Sequence, residues 1–304
     1  MKTTRSSYKS ISLSYMVAIG FLVLFCSASF AASTKMKPYV LASTSKVAHA
    51  TAIKQTQAAL TKAGFSIVGN YVPYKNAHII IVTNALLKST ALKSKQGGFG
   101  ATQRISVTLV KDEVQVAYTN PSYMFNAYRM KGDISPVANS LKAALGYVKE
   151  FGSSYGMTAA SLRKYHYKIF MPYFDNPILN AKFDSHNTAV TTVENNLAKK
   201  VGGVSKVFRL DLGNNQTLIG VRLTKGCGGD KLIMDRIDKK VLKSTAHLPY
   251  EILVSDKKVM ALPAKFRIAI SFPSLSMVGS NSFYSIMCAP GSISKALTKV
   301  VGKS

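Results

Sequence analysis

The chain contains no tryptophan and few acidic residues. Its 304 residues include 13 aspartates and glutamates against 40 lysines and arginines. So few carboxylates leave little material for paired-carboxylate catalysis, and the missing tryptophan weakens the case for a carbohydrate site. After the first 31 residues, no run of the sequence is apolar over the roughly 20 positions that a membrane-spanning helix needs. We therefore expect a chain that does not span a membrane once its N-terminal segment is removed.

The motifs of common catalytic and nucleotide-binding sites are also missing. The sequence has no Gly-x-Ser-x-Gly elbow, no phosphate-cradling glycine loop and no His-Glu-x-x-His, and "QGGFG" lacks the spacing of a dinucleotide turn. Ser161 and Lys164 form a Ser-x-x-Lys spacing, but the companion motifs of penicillin-binding enzymes are absent from the sequence. We expect a non-catalytic protein and predict no cofactor.

The N-terminal segment has the order of a secretory signal peptide. Three basic residues in "MKTTRSSYKS" precede the apolar run "ISLSYMVAIGFLVLF" and the small residues of "CSASFAAS". We predict a signal peptide over residues 1–31, with cleavage after Ala31 and export to the periplasm. A retained membrane anchor is the alternative, but the apolar run is shorter than a spanning helix. A lipoprotein attached through Cys26 would need a small residue where Phe25 stands.

Positive charge is spread over the whole chain. Without the three basic residues of the predicted signal peptide, 37 basic and 13 acidic residues remain, which is a net charge of +24. No zinc-finger spacing, aromatic RNA-binding signature or basic block accompanies this charge, so we expect no nucleic-acid partner. An exported protein of this charge is suited to an anionic envelope component such as lipid headgroups, lipopolysaccharide or cell-wall polymer. A basic proteome or an unusual habitat is the alternative explanation.

Apolar periodicity and turn residues predict the same order of helices and strands in both halves. In the first half, a short strand over "KPYVLAST" and a helix over "SKVAHATAIKQTQAALTKAG" precede the strands "FSIVGNYVPY" and "AHIIIVT", a short helix over "NALLKSTALKS", and a hairpin of "TQRISVTLV" and "VQVAYTN". In the second half, a helix over "TAVTTVENNLAKKVGG" precedes the strands "SKVFRLDL" and "QTLIGVRLT", a helix over residues 229–244, and a hairpin of "YEILVS" and "KVMALPAKFRIAISF". A further helix closes each half, over "SPVANSLKAALGYVKEFG" and "GSISKALTKVVG".

This repeated order predicts an α+β fold built as a tandem repeat of two units. Each unit is expected to be an antiparallel four-stranded sheet packed with about three helices. The two units take up residues 33–152 and 185–304, and residues 153–184 form an aromatic-rich connecting segment. Val110 corresponds to Val254 at an offset of 144 and Pro121 to Pro273 at an offset of 152, which makes the second hairpin eight residues longer.

The motif "AYTNPSYMF", at the end of a hairpin that follows a helix and an apolar pair of strands, resembles the family known as domain of unknown function 302. The resemblance covers most of residues 37–145. The second copy, residues 184–302, is a more divergent match in which Phe272-Pro273 replaces Asn120-Pro121. The resemblance implies an antiparallel sheet packed with helices, and it supplies no activity.

The proline motif has two interpretations. A proline at the end of a strand stops pairing because it cannot donate to the sheet, and Asn120 or Ser122 can then bond to nearby backbone and shape the turn. Alternatively, polar side chains of the two turns lie at the mouth of a cleft between the copies, which is the default site for a small ligand. The side chains predicted there are Asn120, Ser122, Tyr123 and Ser274, together with His166 and Tyr173 of the connecting segment. The aromatic residues of that segment otherwise serve to join the two copies.

Two cysteines remain after the predicted cleavage, Cys227 and Cys288. In an oxidising compartment they are candidates for a disulfide, since each follows a strand region and precedes a helix, at places where loops can meet. Ligation by a redox protein is the alternative. Its donors would be His247, Met277, Met287 and Cys288, which suit copper(I) or an axial haem position, although none has a tight ligand spacing.

The helix predicted over residues 229–244 is the best candidate for an anion-binding surface. Ile233, Ile237 and Val241 recur every four residues and are expected to face the core. The outer side then carries Arg236, Lys239, Lys240 and Lys243. The neighbouring acids Asp230, Asp235 and Asp238 are interpreted as members of surface ion pairs.

Overall fold

The first copy of the repeat folds into one antiparallel sheet with helices. The computed structural model describes residues 2–3, 34–166 and 171–302, so the predicted signal peptide lies outside the described residues. The elements of the first copy are β1 (Tyr39–Ser45), α1 (His49–Lys62), β2 (Ser66–Tyr71), β3 (Ala77–Thr83), α2 (Ala85–Leu92), β4 (Gln103–Val110), β5 (Glu113–Thr119), α3 (Pro121–Ala127), α4 (Ser135–Leu145), β6 (Lys149–Phe151) and α5 (Ala159–Arg163). The sheet has the strand order β2-β3-β4-β5-β1-β6.

The second copy folds in the same way. Its elements are β7 (Ile178–Lys182), α6 (His186–Ala198), β8 (Val204–Gly213), β9 (Gln216–Leu223), α7 (Asp230–Ile237), β10 (Tyr250–Ser255), β11 (Lys258–Ala261), α8 (Ala264–Ser271) and α9 (Ala289–Val300). Its sheet has the strand order β7-β11-β10-β9-β8. Read from its other edge, this is the order β2-β3-β4-β5-β1 of the first copy, so the predicted α+β tandem repeat is confirmed.

The sheets contain six and five strands rather than the four predicted for each copy. The additional strand common to both precedes the first helix of each copy, and in the first copy it is the strand predicted over "KPYVLAST". The chain leaves this strand through the helix and returns at the opposite edge, so β1 pairs with β5 and β7 pairs with β11, both antiparallel. β6 extends the first sheet by pairing with β1. β7 lies within the segment predicted to connect the copies.

Asparagine residues shape the hairpin between β8 and β9. Asn214 and Asn215 join β8 to β9 with φ angles of +47° and +50°. Asparagine tolerates this left-handed region, and two such residues in succession make a turn whose twist matches the flanking strands. The sequence "GNN" therefore predicts the hairpin by a physical mechanism, and the observed strands confirm it.

The proline of each copy that follows the last hairpin lies at the start of a helix, and the proline that corresponds to Pro121 is not the one predicted. Pro121 is the first residue of α3, and the Asn120 side chain caps this helix by accepting from the Ser122 amide at 3.2 Å. In the second copy, the residue that directly precedes the equivalent helix α8 is Pro263. The pairing of Pro121 with Pro263 has an offset of 142, close to the 144 of Val110 and Val254. The correspondence with Pro273 and the eight-residue extension are therefore wrong.

Residues 264–271 form a helix, although their alternation predicts a strand. Pro263 ends strand pairing, so β11 has only four residues. Seven of the eight residues of α8 are buried, including Arg267 and Ser271. A helix that is buried on all sides has no polar face, so its 3.6-residue period is hidden in the sequence.

The helix predicted over residues 229–244 is wrong in its second half, because α7 ends at Ile237. Both carboxylate oxygens of Asp238 accept from the Ser244 amide at 3.0 Å and close the following segment into a loop. Val241 is 78% exposed instead of buried in the core. Arg236 alone among the four predicted surface cations belongs to α7, and the loop carries Lys239, Lys240 and Lys243.

In each copy, a short turn precedes the last hairpin, which is β4-β5 in the first copy and β10-β11 in the second. This turn lies against the sheet of the other copy. The 3-10 turn Thr245–His247 of the second copy contacts β3, β4 and β5, and the equivalent turn Gly97–Gly100 contacts β9 and β10. Thr108 donates to the Thr245 hydroxyl at 3.1 Å. A Cβ atom on Gly98 would lie 2.6 Å from the Leu253 side chain, so a larger residue there would require that side chain to shift. One continuous hydrophobic core includes buried side chains from both copies.

A buried charge cluster lies where the copies meet. Arg267 of α8 donates to Glu251 of β10 at 2.7 Å, and Arg104 of β4 lies 3.8 Å from the same carboxylate oxygen. Both guanidinium groups also donate to the backbone carbonyl of His247, at 2.6 Å and 3.4 Å. All three charged side chains are at most 5% exposed. Two positive charges therefore share one carboxylate in the interior.

We expect Glu251→Gln to lower the free energy of unfolding by about 3–5 kcal/mol, because it leaves two buried guanidinium groups without a countercharge. The control is Asp235→Asn, which removes a carboxylate from the exposed pair with Lys231 and should cost less than about 1 kcal/mol. Urea denaturation of both variants measures the difference. An equal loss in the two variants would contradict the assigned role of Glu251.

Candidate anion-binding site

A groove in the second copy collects lysine side chains on one side of α9. The cavity has a volume of about 680 Å³. Its lining includes four lysines, four glycines and the two cysteines, and none of the lining residues is acidic. The lysines are Lys200, Lys225, Lys295 and Lys299. We call this cavity the lysine groove.

Three segments of the chain form the lysine groove. Lys200 follows α6, Lys225 follows β9, and Lys295 and Lys299 are one helical turn apart on α9. Gly202 has a φ angle of +65°, and a Cβ atom there would lie 2.8 Å from the Ala296 carbonyl. Glycine is therefore required where the turn after α6 approaches α9.

The two cysteines hold the wall of the lysine groove. Cys227 and Cys288 lie within disulfide-bonding distance, with their Cα atoms 6.1 Å apart, inside the usual range. Cys288 directly precedes α9, and Cys227 lies in the 3-10 turn Gly226–Gly228. The Gly228 amide also donates to Ser292 of α9 at 3.1 Å. The cysteine pair and this hydrogen bond therefore connect the turn to the helix.

The four lysines of the groove carry uncompensated charge. Within the described part of the chain, none of them forms an ion pair. All four are exposed. Like charges around one concavity act together when they lie within a Debye length, about 8 Å at physiological salt. An anion bound in the groove would relieve their mutual repulsion.

The side chains predicted at the proline turns do not line the lysine groove. Asn120 is buried and donates to the Lys37 carbonyl at 3.0 Å, in addition to capping α3. Tyr123 is buried and donates to the Ile270 carbonyl at 2.9 Å, so it joins α3 to α8. Ser122 is partly buried beside Asn120. Ser274 accepts from the Ser154 amide at 2.9 Å. Their role at a ligand pocket stays a prediction.

Aromatic residues of the connecting segment contact both copies. Phe174 lies 5.4 Å from the Tyr128 ring of the first copy and 6.0 Å from the Phe266 ring of the second. His166 and Tyr173 stack on each other at 4.4 Å, and Tyr173 is 37% exposed. Residues 167–170 of this segment lie outside the described residues.

The donors of the alternative metal site have other contacts. His247 is buried with Nδ1 2.9 Å from the Ser271 hydroxyl, and burial holds its pKa well below the ordinary value. Cys288 is paired with Cys227. Met287 is exposed, and Met277 lies in the loop after α8. Among the described residues, no group of three histidine, cysteine or acidic side chains could hold a metal ion.

A second cavity adjoins the lysine groove at Gly226. It has a volume of about 480 Å³ and lies between the copies, lined by Tyr71 of the first copy and by Arg222, Lys231 and Arg236 of the second. We call it the boundary cleft. Arg236 donates to the Ser285 carbonyl at 2.5 Å, and Lys231 pairs with Asp235. The surface ion pair predicted for Asp235 is therefore present.

Asp230 lies behind the boundary cleft and is buried, contrary to the surface position predicted for it. Its Oδ2 accepts from the Tyr71 hydroxyl at 2.5 Å and from the Leu223 amide at 3.0 Å. Burial raises the pKa of Asp230 from the ordinary 3.8 to about 7. Asp238 is also buried, and burial raises its pKa to about 6. These two acids hold the loops around α7 instead of forming surface ion pairs.

Comparisons with known proteins identify no relative from which a function could be inferred. No family model matches the chain, and no curated protein or solved structure is significantly similar to it. The resemblance to domain of unknown function 302 stays a prediction. No helix in the described ranges has the length and apolarity needed to cross a membrane.

The lysine groove was missed in the sequence because its residues come from separate segments. "KKVGG", "TKGCGG" and "PGSISKALTK" each combine lysine with glycine. Lysine beside glycine at the end of an element is the signal that could have found the groove, since such turns bring backbone and cations together. The net charge alone pointed to α7, where helical spacing was easiest to recognise.

We expect Asp230→Asn to change how stability depends on pH. The folded protein binds the Asp230 proton more tightly than the unfolded chain does, so the free energy of unfolding falls as pH rises from about 4 to 7 and then levels. The raised pKa of about 7 corresponds to roughly 4 kcal/mol over this window. The variant should therefore gain stability relative to the parent by an amount of that order as pH rises.

Urea denaturation at pH 4, 6 and 8 would measure this gain, with Asp235→Asn as the exposed control. Parallel pH profiles for Asp230→Asn and the parent protein would contradict the raised pKa.

We expect the double variant Cys227→Ser, Cys288→Ser to be less stable than the oxidised protein. The residues are 61 positions apart, and closing a loop of this length contributes about 4 kcal/mol in the chain-entropy model. Mass analysis without reductant should detect no free thiol in the mature protein, which lacks residues 1–31 and therefore Cys26. Two titratable thiols in protein purified under air would contradict the pairing.

Proposed function

We propose that this chain is an exported, non-catalytic binding protein whose ligand is a phosphate-bearing anionic component of the cell envelope. The proposal includes the predicted signal peptide and a periplasmic location. The observation that carries it is the lysine groove, where four lysines without ion-pair partners in the described chain surround one cavity that has no acidic lining. Lysine ammonium groups are compact point charges that bind phosphate without demanding a planar, bidentate partner.

The groove is suited to binding an anion through charge, and it offers no surface on which an aromatic group could stack. None of its lining residues is aromatic. Proteins that bind single-stranded nucleic acids combine cations with aromatic stacking surfaces, and the groove supplies only the cations. The net charge of +24 that remains without residues 1–31 also favours capture of an anion from a distance.

Replacing all four groove lysines by glutamine should weaken retention on anionic vesicles or lipopolysaccharide. Each cation near an anionic surface contributes about 1 kcal/mol, so retention should fall on the order of 100- to 1000-fold at low salt. Retention of the parent protein should also fall steeply as salt rises, because charges screened by ions no longer attract the surface. Cosedimentation with vesicles, with and without anionic lipid, measures both effects.

A matched control removes the same charge elsewhere. Glutamine at four exposed lysines of the first copy, Lys46, Lys54, Lys62 and Lys149, should leave retention close to that of the parent after correction for net charge. A third variant carries glutamine at Arg236, Lys239, Lys240 and Lys243. Equal retention by the groove variant and the first-copy control would contradict the proposal, and a loss confined to the third variant would move the site to the segment around Asp238.

A further inference from the structure

The lysine groove and the boundary cleft adjoin each other on the surface of the second copy. Gly226 lines both cavities. It has a φ angle of +64° and begins the 3-10 turn that carries Cys227. The link from Cys227 to Cys288 and the hydrogen bond from Gly228 to Ser292 hold this turn against α9. The two cavities therefore have a fixed relation to each other.

The boundary cleft adds a further available cation. The Arg222 side chain is exposed on β9 and, among the described residues, forms no ion pair and no side-chain hydrogen bond, although its charge acts to lower the pKa of the nearby Asp230. The other basic side chains of the cleft are engaged, Lys231 with Asp235 and Arg236 with the Ser285 carbonyl. Arg222 is followed two residues later by Thr224 and then by Lys225 of the groove. The available cations therefore continue from one cavity into the other.

The arrangement fits a long ligand better than a compact one. The cations are divided between two adjoining cavities of about 680 Å³ and 480 Å³, so a single phosphate group could contact only some of them. No lining residue of the groove is aromatic, and the Tyr71 ring of the cleft is buried with its hydroxyl bonded to Asp230. The site therefore offers charge along a path and no stacking surface.

Resting on the proposed function, we infer that the ligand is an extended linear polyanion with repeated phosphate groups, which lies in the lysine groove and continues past Gly226 to Arg222. Such a chain places successive negative charges against successive cations. A free polyphosphate and a phosphate-bearing wall polymer share this chemistry. The anionic surface of a lipid bilayer is a different partner, and the test below separates it.

Calorimetric titration with pyrophosphate and with long-chain polyphosphate, at equal phosphate concentration, tests the length of the site. Polyphosphate should bind more tightly to the parent protein. Arg222→Gln should weaken polyphosphate binding about fivefold and leave pyrophosphate binding unchanged, whereas Lys295→Gln should weaken both. Lys54→Gln in the first copy is the control for net charge. A longer chain can bind in more registers, so its apparent affinity rises even without a contact to Arg222. The selective effect of Arg222→Gln on polyphosphate is therefore the decisive result.

Equal weakening of both ligands by Arg222→Gln, or no effect on either, would overturn the extended site. The proposed function would still hold if the fourfold lysine variant lost binding of pyrophosphate and polyphosphate alike. Both would fail if the fourfold variant bound every anion as the parent does. Competition separates the sources: polyphosphate and a phosphate-bearing wall polymer should displace each other and release the protein from anionic vesicles. Vesicle binding that neither polymer reduces would assign the site to a bilayer and overturn the inference.

Discussion

The buried contact of Glu251 with both Arg267 and Arg104 is the interaction on which the arrangement of the two copies depends, because Arg104 belongs to the first copy and Glu251 to the second. Arg267 lies on α8 and Glu251 on β10, and the guanidinium group of Arg104 approaches the same carboxylate from the first copy. Both arginines also bind the carbonyl of His247, which belongs to the turn that covers the first sheet. A shifted packing of the sheets would leave a buried charge without its partner, so this cluster favours one alignment over its alternatives.

The position of the candidate site follows from this alignment. Tyr71 at the end of β2 reaches Asp230 at the start of α7 only when the copies are correctly aligned. The same contact forms one wall of the boundary cleft, next to the lysine groove. Buried polar contacts thus fix the positions of the two cavities, and the exposed cations provide the positive charge on which the proposed anion binding depends. The proposed anion binding would require no change in the buried part, because the groove lysines all lie at the surface.

Local sequence signals predict the repeat but not the helices and buried contacts that depend on residues far apart in the chain. The hairpins could be predicted because strand alternation and turn residues such as Asn214 and Asn215 act within a few positions of each other. Helix α8 could not, since Pro263 and burial on every side replaced the usual amphipathic pattern with apparent alternation. The end of α7 depends on Asp238 closing a loop onto Ser244, and the burial of Asp230 depends on Tyr71, which is 159 residues away. Contacts across such distances leave no periodic trace in a single sequence.

The exchange of turns between the two sheets has a consequence for how this architecture could arise and change. Each copy covers the other as one subunit of a symmetric dimer covers its partner, so a chain with a single copy would reach the same packing only as a homodimer. Joining the copies replaces that concentration-dependent association with an intramolecular one. Fusion also removes the requirement that both copies be identical. The lysine groove and its cysteine pair occur in the second copy alone, an asymmetry that a homodimer could not have acquired.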